Sequence, residues 1–167
     1  MNVHQFLPTT ATAAVSTQLS VGPTPRILLA EDDVDLGRFN AEVLRRNGYH
    51  VDAAEDGAVA WEALAARSYD LLITDNSMPK VTGIELIQKL HEANMTVPVI
   101  MATGVLPEWE FTQNPEITPA ATLLKPYTIP ELLRAVRGVL TMRPHATATF
   151  GRMQFEHVHP SSSQLPL

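Results

Sequence analysis

The sequence predicts an α/β protein: five parallel strands in one sheet, with helices on both faces. Three observations lead there. Short apolar runs alternate with amphipathic, helix-length segments through residues 26–141, the pattern of repeated βα units. The clearest runs, Arg26–Ala30, Leu71–Thr74 and Val97–Ala102, are apolar at nearly every position, as strands covered on both faces must be. Polar residues follow four of the runs, where an open parallel sheet gathers its ligands.

In chain order, Arg26-Ile27-Leu28-Leu29-Ala30 is the first strand, and the acids Glu31-Asp32-Asp33 follow it. The next segment places Leu36, Phe39, Val43 and Leu44 on one helical face and stops at Asn47-Gly48. Tyr49 to Ala53 makes a weaker second strand. Asp56 is placed to cap a second helix, whose inward Ala60, Ala63 and Leu64 are mostly small and let it lie close to the sheet. Leu71–Thr74 is the third strand, ending in Asp75. Pro79 and Gly83 then break the chain before a third helix marked by Ile84, Ile87 and Leu90. Val97–Ala102 is the fourth strand, with Pro98 tolerable near its start. Ala121–Leu124 is the fifth, and Thr128 and Pro130 open a last helix with Leu133, Val136 and Leu140 inward. Between the last two strands, Pro107, Pro115 and Pro119 leave room for one helical turn around Glu108–Phe111. The fourth helix is therefore expected to be short or irregular, held down by Trp109 or Phe111.

Composition narrows the function classes. With 167 residues, 45% hydrophobic and 18% charged, the chain has the make-up of one globular domain with tails. Residues 1–24 and 142–167, without sustained periodicity, read as a disordered leader and a flexible tail. His157-x-His159 in that tail reads as solvated rather than as a metal site. The net charge of −6 argues against electrostatic binding to nucleic acid or an anionic membrane. The lack of cysteine excludes disulfides and thiol catalysis. No apolar run reaches the roughly 18 residues of a membrane span. No basic residue precedes Arg26 to head a secretory signal, so the expected location is cytoplasmic.

The polar residues at the strand ends are Glu31 and Asp32 after the first, Asp75 after the third, Thr103 after the fourth and Lys125 after the fifth. Each alone has an ordinary reading: an acid that starts a loop, a turn hydroxyl, a surface lysine. On parallel strands in one layer they gather on a single rim. Three carboxylates held together repel one another unless a cation joins them. An oxygen-only set suits Mg²⁺ or Mn²⁺ better than Zn²⁺. With a hydroxyl and an ammonium beside it, such a rim can hold the oxygens of an incoming phosphoryl group while a carboxylate serves as nucleophile.

The stretches Leu28-Leu29-Ala30-Glu31-Asp32-Asp33, Asp75-Asn76-Ser77-Met78-Pro79 with Gly83, Ala102-Thr103-Gly104 and Lys125-Pro126, taken in order and spacing, resemble the receiver domain of two-component response regulators, whose members include a single-domain bacterial chemotaxis type. The resemblance runs from about Arg26 to Thr141 and sets the receiver domain at 25–141. It implies a flavodoxin-like, doubly wound sheet of strand order 2-1-3-4-5. It also implies roles. Asp75 resembles the phosphoacceptor, Thr103 the switch hydroxyl and Lys125 the phosphate-pairing lysine, with a cis bond to Pro126. Mg²⁺ (or Mn²⁺) would be held by Asp32 directly, by Glu31 through water, by Asp75 and by the main-chain carbonyl of Ser77. Ser77 and Val105 occupy the variable positions that tune phosphate lifetime in the family. The implied partners are a sensor histidine kinase or histidine phosphotransfer protein upstream and an unidentified protein downstream, with no nucleic acid and no membrane.

There are departures. Thr122 stands where the family often has Tyr or Phe, three residues before the lysine, and Val105–Pro119 replaces a regular fourth helix. The roughly 26 residues after Thr141 are few for a DNA-binding output domain. The alternative reading is a Mg²⁺-dependent aspartyl-nucleophile phosphohydrolase. Those enzymes generally carry a second Asp two residues beyond the nucleophile, where this chain has Ser77. A flavin-binding module of the same fold is a third reading, but three acids after the first strand would repel a flavin phosphate.

Overall fold

Ile27 and Leu29 of the first strand, β1 (Arg26–Ala30), bury on one side of the sheet, and Leu28 and Ala30 on the other. That alternation, one residue per face, divides the interior into two layers. The computed structural model describes residues 23–142. After β1 come α1 (Val34–Arg46), β2 (His50–Ala54), α2 (Gly57–Ala66), β3 (Leu71–Asp75) and α3 (Gly83–Glu92). The chain continues through β4 (Val99–Thr103), α4 (Glu108–Gln113), a 3-10 turn (Pro115–Ile117), β5 (Ala121–Leu124) and α5 (Ile129–Thr141). All strand pairs are parallel, in the order β2-β1-β3-β4-β5. The fold class and strand order are as expected.

β3 and β4 are buried at every residue, which explains their unbroken apolar sequence. One layer packs Ala41 and Leu44 of α1 and Leu132 and Val136 of α5 against Ile27, Leu29, Leu71 and Ile73. The other packs Ala60 and Leu64 of α2 and Leu86 and Leu90 of α3 against Leu28, Leu72 and Met101. Each such leucine contributes about 1.5–3 kcal/mol by leaving water, so the rim residues stand on a rigid base.

The helix ends are specified locally. Asp33 caps α1 by accepting from the backbone N–H groups of Asp35 and Leu36, both at 3.0 Å. Gly48, at φ +88°, terminates the same helix in a conformation that favours glycine. Thr82 and Glu85 form a reciprocal capping box on α3. At α5 the Glu131 carboxylate accepts from both the backbone N–H and the hydroxyl of Thr128.

Several details differ from expectation. Phe39 is exposed, because the buried stripe of α1 runs through Gly37, Asn40, Ala41 and Leu44. β2 and β4 are displaced along the chain, and Val97 and Pro98 precede β4. α4 spans six residues rather than a single turn, and the 3-10 turn at Pro115 follows it. Trp109 is 72% exposed; Phe111 packs at the edge of the core, and Ile117 is the buried anchor. The prolines act as predicted, shortening this helix. The leader and tail assigned to 1–24 and 142–167, with His157 and His159, fall outside the described residues but for Pro23, Thr24 and Met142.

Candidate functional site

The parallel ladder determines which strand ends meet. Ala30 pairs with Thr74, Asp75 with Ala102, and Thr103 with Leu124. The residues just beyond are therefore delivered to one rim. Glu31 extends β1 by donating its backbone N–H to the Ala54 carbonyl at 3.1 Å, and Lys125 extends β5 by donating to the Thr103 carbonyl at 2.8 Å.

Lys125 occupies the centre. Its ammonium donates to both Glu31 oxygens, at 3.0 and 2.8 Å, and to Asp75 Oδ2 at 2.7 Å. Ligand oxygens of Glu31, Asp32 and Asp75 lie within 4.8 Å of one another. Glu31 and Asp75 are buried, whereas Asp32 is open to solvent. Burial pushes the Glu31 carboxyl above its usual range; the Lys125 ammonium opposes that rise, and the charges of Asp75 and Asp32 add to it. Burial disfavours the Lys125 ammonium, but its hydrogen bonds to Asp75 and Glu31 outweigh this and hold its pKa above the usual value. One cation thus faces three carboxylates.

Asp75 is held from both sides of its carboxylate. Oδ1 accepts from the Ser77 backbone N–H at 3.1 Å, opposite the lysine on Oδ2. Behind it, a side chain on Gly83 would bring its Cβ to 2.5 Å from the Asp75 carbonyl oxygen, so only glycine lets α3 start there. Asn76 ties the same turn together, its Oδ1 accepting from the Ile84 N–H at 3.1 Å.

Thr103 reaches the rim and is buried, with its hydroxyl donating to the Val105 carbonyl at 2.9 Å. It faces its own loop rather than Asp75. Lys125 and Pro126 are joined by a cis peptide. Beyond them the Tyr127 hydroxyl accepts from Asn40 Nδ2 at 2.9 Å, tying α1 to the lysine-bearing loop. That contact spans 87 positions and left no sequence signal except a polar residue in the buried stripe of α1.

Among the described residues the rim offers three carboxylates, with no cysteine and no histidine in the cluster. That donor set fits a hard divalent cation such as Mg²⁺. The unequal charge count and the raised Glu31 pKa fit it too.

The family model for the response regulator receiver domain matches residues 27–137. The chain belongs to this family. A curated relative, the response regulator receiver protein CpdR of Brucella abortus, is 35% identical over 115 residues, covering 69% of this chain and 96% of the relative. The non-phosphorylated HemR receiver domain of Leptospira biflexa superposes with a TM-score of 0.66 at 28% identity, covering 73% of this chain and 99% of that one. The receiver domain of the Francisella response regulator 1452 gives 0.65 at 27% identity, covering 71% and 98%. Other curated relatives are longer, and the chain spans about half of them (49% and 54% in two cases). Receiver domains are the phosphoacceptor modules of two-component systems, modified on an aspartate beside an acidic pocket that binds Mg²⁺. They signal rather than turn over small molecules.

Proposed function

We propose that this chain accepts a phosphoryl group on Asp75 from the phosphohistidine of a sensor kinase or a histidine phosphotransfer protein, then signals through protein contacts in the cytoplasm. The observation that carries the reading is Lys125, whose ammonium lies 2.7 Å from Asp75 Oδ2 and also binds Glu31. It supports the reading by supplying positive charge beside Asp75, where phosphoryl oxygens would arrive.

In the transfer, an Asp75 carboxylate oxygen forms the new P–O bond as the P–N bond to the donor imidazole breaks. The electron pair of that bond leaves on the imidazole nitrogen, which takes up a proton. Lys125 turns from the carboxylate to a phosphoryl oxygen. The Thr103 hydroxyl leaves the Val105 carbonyl to donate to a second phosphoryl oxygen, so it reports the modification to the loop that follows β4. The Ser77 backbone N–H keeps the acceptor oriented. Glu31, Asp32, Asp75 and the Ser77 carbonyl would hold Mg²⁺ or Mn²⁺, which when bound neutralises charge on the transferred group. A phosphohydrolase has less support, since the residue two beyond Asp75 is Ser77.

The test uses acetyl phosphate with Mg²⁺ and intact-mass measurement. Wild type gains one acid-stable, base-labile phosphoryl group, and Asp75→Asn gains none. Undiminished labelling of Asp75→Asn overturns the assignment of the acceptor; labelling unaffected by EDTA overturns the metal reading.

A further inference from the structure

The loop between β3 and α3 carries Ser77 and is tied at both ends to the rim and to α3. Its middle is held by something else. Lys80 has φ +67°, a left-handed conformation that penalises a residue with a Cβ and that glycine adopts freely. The Lys80 side chain reaches across to α2 and donates to Asp56 Oδ2. Asp56 is only 3% exposed, and its other oxygen accepts from the Ala58 and Val59 N–H groups at 2.8 and 2.9 Å. Both of its oxygens are thus committed. The hydrogen bond from Lys80 is the largest influence holding the Asp56 carboxyl below its usual pKa, and the same bond raises that of Lys80.

The next residue closes the joint. A Cβ on Gly57 would sit 1.9 Å from the Val81 carbonyl oxygen, so the start of α2 lies directly against the loop backbone. Met78, buried between Ser77 and Lys80 in sequence, anchors the intervening chain. An exposed ion pair would be worth little. Here Asp56 is buried although the Lys80 side chain is 62% exposed, and Lys80 keeps this contact from a backbone conformation where glycine would be easier.

We propose that Asp56 and Lys80 form a clamp, a pair of positioning residues that presents the Ser77 main chain to the divalent cation of the acidic rim. The clamp rests on the reading of that rim as a Mg²⁺ site. It acts on neither substrate nor metal; it restricts where the loop backbone can be. Supporting contacts of this kind govern metal affinity through ligand placement.

Lys80→Gly separates this role from simple stabilisation, because glycine relieves the strained φ while removing the clamp. The full chain, wild type and variants, is titrated with MgCl₂ by isothermal calorimetry, with melting temperature and hydrogen exchange measured alongside. Lys80→Gly is expected to melt no lower than wild type yet to bind Mg²⁺ about 10-fold more weakly, with faster exchange across residues 76–82. Lys80→Gln, which keeps the strain and loses the charge, shifts affinity in the same direction. Lys80→Arg, which keeps the ion pair, restores it. Unchanged Mg²⁺ affinity in Lys80→Gly, with wild type binding normally, overturns the clamp alone. Failure of wild type to bind Mg²⁺ overturns the reading of the rim and the clamp with it.

Discussion

Glu31, Asp32 and Asp75 crowd one end of the sheet around a single lysine, while Asp52, midway along β2, stands among two arginines and a tyrosine. Asp52 Oδ2 accepts from Arg26 and from the Tyr69 hydroxyl, each at 3.0 Å, and Arg67 lies at 3.6 Å. Desolvation works against the Asp52 carboxylate, but the bonds from Tyr69 and Arg26 and the two guanidinium charges hold its pKa below the usual range. At the acidic rim the balance runs the other way, and Glu31 is raised. The two clusters use the same side-chain chemistry with opposite charge accounts. The one at Asp52 keeps its carboxylate ionised and balances it with two guanidinium charges, which serves stability. The rim retains an excess of negative charge, as a site that awaits a cation does.

The largest effect is expected from Lys125→Met, which leaves two buried carboxylates at the rim without their shared cation. The cost is about 2–3 kcal/mol, below that of a fully buried pair because the lysine side chain keeps 21% of its exposure. Mg²⁺ should recover part of the loss, read as a larger Mg²⁺-induced rise in melting temperature than wild type shows. A variant that Mg²⁺ leaves untouched would break the comparison at the rim.

Asp52→Ala comes next, with a loss of about 1–2 kcal/mol, reduced by the partial exposure of its partners. Mg²⁺ affinity and phosphoryl uptake should stay at wild-type levels, since nothing in that cluster touches the rim. The same cluster has a pH signature. With its folded pKa lowered, Asp52 contributes stability that is present above the unfolded value near 3.8 and is lost as pH falls through the folded one. The stability gap between wild type and Asp52→Asn should therefore close below about pH 4. A gap that widened on acidification would contradict the charge account.

Much of this was legible in the sequence because it rests on periodicity and strand ends. Buried strands announce themselves as apolar runs, and the polar residue that ends four of them (Glu31, Asp75, Thr103 and Lys125) is visible at once. Glu31, Asp75 and Lys125 meet as expected because the parallel ladder leaves them little choice. What stayed hidden depends on partners far apart in the chain. Asn40 shifts the inward stripe of α1 and leaves Phe39 exposed because Tyr127 satisfies its amide. Lys80 reads as an ordinary loop lysine until Asp56, 24 positions earlier, is seen beneath it. In the proline-rich segment Phe111 packs against the core as one of the two expected anchors, while Trp109 stays outside and the aliphatic Ile117, which no periodicity marks, is the buried one.

The smallest of the expected effects is also the most direct test, because without a cation Asp32 acts on the rim only through its charge, from an exposed position. Thermal unfolding of wild type and Asp32→Asn is measured in EDTA and again in millimolar Mg²⁺. If the rim stores repulsion that a cation relieves, Asp32→Asn melts higher than wild type in EDTA, by up to about 1 kcal/mol or a few degrees. Mg²⁺ then raises wild type and barely moves the variant. An Asp32→Asn protein that melts lower than wild type in EDTA and responds to Mg²⁺ just as strongly would contradict the account.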